Sequence, residues 1–367
     1  MGRTSQKDSN PDYWKKYTNP QHVKHALIRH YLNGWLPKLG SWSGRILYFD
    51  THAGRGAHAH GQSGSPLVAM RTLLTHKYRE SVFNRCEVVF FFIEIDPDNC
   101  KALQAEIDTL GDLPKQVKCH IICEDCFTSL ESLIKSMKES GSKLAPAFIF
   151  VDPYGFKIPG SILHELMSFD RVELFINVIW RELSMAIAQG ESKTGMGETL
   201  NLVFNGEDWR QLIGLDFDAQ ADACINLMRT KIGAKWATYI RMLAKNGTTR
   251  YMLLHLTNHD AGRDLMKDCV WKVCAEGGFY ARATDNPNQQ YLISPEPDLR
   301  PLKRWILDKL SKGPIRWDDL LKELRAEIWR APQLNGMIRE LGRSKVIDGR
   351  KYSGRFAQTN NPELFLL

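Results

Sequence analysis

Four acidic positions recur in this chain at points where an apolar run ends, and one of them opens a glycine turn. In Asp50-Thr51-His52-Ala53-Gly54-Arg55-Gly56 the acid follows the apolar run Ile46-Leu47-Tyr48-Phe49. An acid ending a strand, followed by glycines, lets backbone approach a nucleotide-like cofactor with no Cβ in the way. A third glycine is missing, which argues against a dinucleotide fingerprint. Asp50, His52, Ala53, Gly54 and Gly56 are therefore the candidate cofactor turn. Glu94 closes the next apolar run and is placed to accept hydrogen bonds from ribose hydroxyls. Its wide separation from Gly56 fits an extra loop over 58–65. Glu124 and Asp125 follow a third run and are placed to accept from an adenine amine.

Asp152-Pro153-Tyr154-Gly155-Phe156 closes a fourth run and carries a different chemistry. The exocyclic amine of a nucleobase is a poor nucleophile, because its lone pair is delocalised into the ring. A carboxylate and a backbone carbonyl accepting its two N–H bonds favour a pyramidal nitrogen and stabilise charge developing there. An adjacent aromatic, Tyr154 or Phe156, can stack on the base and hold it in line. Asp152, Pro153 and Tyr154 are the candidate catalytic residues. The plain alternative is an Asp that caps the next helix and a Tyr that belongs to the core. Asn177 could touch substrate and Arg181 a phosphate. Cys119, Cys123 and Cys126 have the spacing of an iron–sulfur loop, but two of them fall in an extended segment, so packing cysteines are expected. His52, His58 and His60 lack a carboxylate or thiolate at ligand spacing, so no metal site is expected.

These residues need a scaffold that brings strand ends together. Runs at 45–50, 87–94, 117–123, 147–152 and 173–179 alternate with helical patterns, which predicts an α/β, doubly wound parallel sheet. Near-continuous apolar runs fit strands buried on both faces. Helical spacing over 22–39 precedes the first strand. A helical insertion is expected over about 187–248. Late strands at 251–256 and 290–293 would complete seven strands, the last two forming a hairpin. Residues 1–18 are polar and expected to be flexible. The main domain then covers 19–295, and Pro295-Glu296-Pro297-Asp298 reads as a linker. Three short helices and a basic hairpin over 299–367 predict a winged helix, with strands near Val346-Ile347 and Phe356-Ala357.

Charge agrees with that division. Of a net +7, residues 299–367 hold 15 Lys/Arg against 8 Asp/Glu, and the rest balance at 34 against 34. A localised basic module is the footprint of a nucleic-acid binder. Arg330, Gln333, Asn335, Arg339, Arg350, Lys351 and Arg355 are the candidate nucleic-acid contacts, with DNA and RNA both open. There is no signal-peptide pattern and no apolar run long enough to span a membrane. Eight scattered cysteines do not make a secreted disulfide framework. A cytoplasmic location is expected.

Tyr17-Thr18-Asn19-Pro20-Gln21-His22-Val23-Lys24-His25, Trp35-Leu36, the 50–56 turn, Gly64-Ser65-Pro66, Phe92-Ile93-Glu94 and Phe150-Val151-Asp152-Pro153-Tyr154-Gly155 resemble the bacterial three-Cys-motif partner family over most of residues 12–295. The resemblance implies a class I S-adenosylmethionine methyltransferase-like (Rossmann-like) domain followed by a winged helix, and a neighbouring partner protein. Residues 47–54 and 64–67 are also similar to an rRNA adenine-N6 methyltransferase family. Its tetrad is Asp-Pro-Pro-Tyr, whereas this chain has Asp152-Pro153-Tyr154-Gly155, with the aromatic one place forward. The second resemblance implies methyl transfer to nucleic acid from S-adenosylmethionine, of the adenine-N6 type. The rival reading is a non-catalytic DNA-binding or partner-docking adaptor on the same scaffold.

Overall fold

The computed structural model describes residues 19–58, 61–244, 246–274, 279–282, 296–348 and 360–367. These divide into two compact units, 1–262 with 280–289, and 263–279 with 290–367.

In the first unit, helix α1 (Asn19–Gly40) leads into β1 (Arg45–Asp50). Then follow α2 (Ser65–Leu74), a short α3 (Arg79–Phe83), β2 (Glu87–Glu94), α4 (Pro97–Asp108), β3 (Val117–Cys123), α5 (Cys126–Ser140), β4 (Ala147–Val151), α6 (Gly160–Ser168) and β5 (Val172–Val178). Helices α7 (Trp180–Gln189), α8 (Met196–Phe204) and α9 (Phe217–Ile232) precede β6 (Trp236–Leu243), β7 (Thr249–Thr257) and β8 (Tyr280–Arg282). Among the described residues the sheet has the order β3-β2-β1-β4-β5-β7-β6-β8. The first five strands are parallel and β7 is antiparallel to both neighbours. Through β6 this is the strand order of the class I methyltransferase fold, and β8 adds a short parallel edge.

Two expectations are corrected. The segment 187–248 is helical only to Ile232. Thr238, Ile240 and Met242 are buried and alternate with more exposed neighbours, so Trp236–Leu243 is a strand of period two. The closing hairpin is thus β6–β7. The strand expected at 290–293 lies outside the described residues, as does 1–18.

The core explains why the strands hold register. Every residue of β4 and β5 is buried. On one face Tyr31 of α1 stacks on Phe148 at 5.2 Å and meets His255 of β7 at 4.8 Å. Beneath them the Glu173 carboxylate accepts from Tyr31 Oη, from Trp35 Nε1 at 3.3 Å and from His255 Nε2 at 2.9 Å. A carboxyl group buried this deeply is tolerated because it is hydrogen-bonded from several sides. Among the described residues no helix is long and apolar enough to cross a membrane.

The second unit holds most of α10 (Asp260–Val273), then α11 (Arg300–Leu310), β9 (Ile315–Arg316), α12 (Trp317–Leu324), α13 (Ala331–Arg343), β10 (Ile347–Asp348) and β11 (Glu363–Leu366). Its strands order as β10-β11-β9, antiparallel. The three helices match expectation. The boundary differs, since the second unit takes in 263–279, upstream of the linker at 295–298. The cause is a stripe on α10. Arg263 donates to the carbonyls of Arg325, Ala326 and Glu327, and Lys267 to that of Leu324 at 3.0 Å. Both cations sit at the carboxyl end of α12, where the helix dipole favours them. Burial pushes the Lys267 amine down to about 7. The strand expected at 356–357 lies outside the described residues.

Candidate functional site

The turn after β1 is built by backbone. Ala53 N donates to Ile93 O at 2.9 Å, fastening it to the end of β2. Gly54 and Gly56 have φ of 64° and 87°, which glycine adopts without strain. Gly64 N donates to Gly56 O at 2.6 Å, so the chain comes back to the turn just before α2 begins. Ser65 then begins α2, with Pro66 in its first turn.

Asp50 is fully buried, and its Oδ2 has no hydrogen-bond partner among the described residues. Burial pushes its carboxyl up to about 7, against the pull of the Ser65 hydroxyl. An orphaned oxygen in a buried acid is where a donor from a ligand fits. Glu94 is buried beside it and accepts from Gly54 N at 2.7 Å and Asp96 N at 3.0 Å. A carboxylate has about four acceptor positions, so capacity remains for hydroxyl donors. His52 lies between Thr51 Oγ1 at 2.8 Å and Cys126 Sγ at 3.5 Å. Burial pushes the imidazole down to about 4, so it is neutral near pH 7.

Asp125 also caps a helix. Its Oδ1 accepts from Thr128 N and Oγ1, both at 3.0 Å, which makes it the N-cap of α5. Glu124 accepts from Ser129 Oγ at 2.6 Å. Both are exposed. Of the three spaced cysteines, Cys126 turns under His52 while Cys123 interacts with Cys100 of α4.

Asp152 stands one residue past β4, next to β1 in the sheet. Its Oδ1 accepts from Asn177 Nδ2 at 2.7 Å and its Oδ2 from Lys24 Nζ at 2.5 Å. Burial alone would raise this carboxyl. The Lys24 ammonium and the Asn177 amide outweigh it and hold Asp152 below its ordinary value. It is therefore ionised at neutral pH and purely an acceptor. Tyr154 is 55% exposed, whereas Phe156 packs against the core.

Lys24 was not foreseen. It is buried in α1, on the stripe of Leu27, Ile28 and Tyr31. A lysine at a core-facing helical position was the available signal, since burying it requires a partner.

In the second unit the candidates separate. Arg330 lies over Trp271 at 5.3 Å and reaches Asp268 at 3.5 Å. Gln333 accepts from Arg330 N at 2.8 Å within a capping box, and Asn335 accepts from Trp317 Nε1 at 2.9 Å. All three have partners within the unit. Arg339 is exposed on α13. Arg350, Lys351 and Arg355 lie outside the described residues.

No family model matches the chain, and no curated protein does. Among solved structures it is similar to protein LPL1258 of Legionella pneumophila, at 15% identity over 64% of this chain and 85% of that one, TM-score 0.37. It is similar to Trm1 of Pyrococcus horikoshii, solved with S-adenosyl-L-methionine, at 13% identity over 70% of this chain, TM-score 0.37. The match spans 61% of Trm1, under two thirds of its length. Human methyltransferase-like protein 13, solved with SAH, matches at 13% identity over 75% of this chain and 98% of that one, TM-score 0.36. At such scores the fold assignment rests on the strand order, not on the likeness.

Proposed function

We propose that the first unit is an S-adenosylmethionine-dependent methyltransferase acting on an exocyclic amine of a nucleic acid, of the adenine-N6 type. The observation that carries this reading is the ionised Asp152 carboxylate, fixed by Lys24 and Asn177 one strand from the glycine turn. The residues of that turn fit the cofactor. The orphaned Asp50 oxygen and the Glu94 carboxylate supply acceptors, and positive-φ glycines leave room for backbone approach. The bound cofactor supplies a methyl group on a sulfonium.

The chain's own residues prepare the acceptor. Asp152 accepts one N–H of the amine and the Pro153 carbonyl the other, which localises the nitrogen lone pair. Tyr154 stacks on the base. The transferred methyl replaces one amine hydrogen, and that proton passes to solvent. Lys24 keeps Asp152 anionic throughout.

The second unit, read as a winged helix, would deliver the polymer through Arg339 and the basic segment with Arg350, Lys351 and Arg355. A cytoplasmic setting and the three-Cys-motif partner family, with its neighbouring protein, belong to the same reading. The adaptor alternative draws on the absent second proline after Asp152.

Asp152→Ala is expected to abolish incorporation of labelled methyl into bulk nucleic acid, with donor affinity by calorimetry at the parental value. Parental incorporation by this variant would remove Asp152 from the reaction. A parent that gives no heat with S-adenosylmethionine yet binds DNA tightly would establish the adaptor.

A further inference from the structure

The sheet edge that carries Asp152 continues into a second cleft of about 530 Å³. Arg181 and Met185 of α7, Phe217 at the start of α9, and Ala244, Thr249 and Arg250 around the β6–β7 turn line it. Topology places it on the acceptor side. Strand β7 runs antiparallel to β5, so its first residues stand at the edge where β5 ends, and Asn177, which holds Asp152, pairs with Leu253. A Cβ on Gly155 would lie 3.8 Å from Glu182 Oε2, so the first turn of α7 abuts the loop after Asp152. The glycine turn lies on the other side of β4, at β1.

The lining has an unusual balance. Phe217 is 40% exposed and Met185 53%, and the Phe217 ring is backed by Trp180 at 5.7 Å. Arg181 and Arg250 are exposed, with no carboxylate or other side-chain partner among the described residues. Nearby Arg241, by contrast, is neutralised by Asp218 and Asp222. An apolar acceptor would leave two guanidinia unanswered, and an acidic peptide would leave the flat ring unused. A nucleotide meets both demands, since its base stacks on an aromatic face and its phosphates accept from arginine.

Building on the methyl-transfer reading above, we propose that this cleft binds a nucleotide flanking the target base in a single-stranded segment. Arg181 and Arg250 hold its phosphates and Phe217 stacks on its base. The catalytic unit would then select an unpaired strand itself.

The test uses the full-length chain and a fluorescein-labelled mixed-sequence 12-mer, single-stranded RNA in one arm and DNA in the other. Anisotropy is followed against salt. Arg181→Ala/Arg250→Ala is expected to weaken binding at least about tenfold, with the slope of log K against log salt shallower by about 1.4 for two lost phosphate contacts. Arg181→Lys/Arg250→Lys should keep the parental slope. Phe217→Ala should weaken binding about tenfold at unchanged slope. A loss confined to one arm supports the cleft and names the polymer. Parental affinity and slope in the double alanine variant would overturn the inference, as would a parent that binds neither oligonucleotide. Donor calorimetry on the same samples reports separately, because failure there removes the methyltransferase reading while the salt slopes still judge the cleft.

Discussion

Lys24 and Asp152 are 128 residues apart in the chain and 2.5 Å apart in the fold. The pair joins the helix before the sheet to the end of its central strand, and it holds the Asp152 carboxyl below its ordinary value. Lys24→Met would leave that carboxylate buried without its cation. The expected cost is about 3 kcal/mol, the range for breaking one side of a buried pair. Because Asp152 is held below its unfolded value, the stability it contributes is present above about pH 4 and is lost as pH falls through the lowered value. Urea midpoints at about pH 2 and pH 7 check this. The difference between parent and variant should shrink at the lower pH.

Asp50 behaves in the opposite sense. Its folded value near 7 lies above the unfolded one, so its neutral form favours the fold. Ionising it weakens the cofactor-free protein as pH rises from about 4 to 7. A cationic donor prefers the ionised form, so donor affinity should rise about tenfold per pH unit below 7 and flatten above it. Asp50→Asn should abolish that slope in calorimetry and raise the melting temperature of the cofactor-free chain at pH 8.

Gly64 has little room for a side chain, since a Cβ there would lie 2.8 Å from the Gly56 carbonyl oxygen. Gly64→Ala must separate the two backbones that close the excursion after Gly56. A cost of about 2 kcal/mol is expected, with weaker donor binding. Thermal unfolding with and without S-adenosylmethionine measures both, and an unchanged donor-induced shift would separate the loop from the site.

Glu173 gathers Tyr31, Trp35 and His255 on one face of the sheet. Glu173→Ala leaves buried donors unanswered and should cost about 3 kcal/mol. Glu173→Gln, which keeps an acceptor, should cost less. Chemical denaturation ranks the two.

Arg263 holds the carboxyl end of α12 through three carbonyls. Arg263→Met should lower the stability of the second unit by about 3 kcal/mol. Proteolysis of the full chain should then release fragments from 300–367 before any from the sheet. Simultaneous loss of both units would contradict the division.

Local pattern carried much of this. The apolar runs of β1, β2, β4 and β5 are recognisable because strands buried on both faces need no polar alternation. The turn at 50–56 is recognisable because positive φ restricts the residues that can stand there. Trp236–Leu243 was misread because helical spacing upstream masks an alternation of only three buried residues. At Asp125 a cap and a ligand acceptor look alike in sequence, and the Thr128 hydrogen bonds to Oδ1 show that it caps α5.

By itself, the sequence determined which residues end strands, where the backbone needs glycine, and where basic charge accumulates. Those properties follow from local sterics and composition. Tertiary structure alone decided that Lys24 and Asn177 meet at Asp152, that β6 completes the hairpin, and that α10 serves the second unit. Each of these depends on which distant segments exclude water from one another, and a pattern read along the chain does not contain that information.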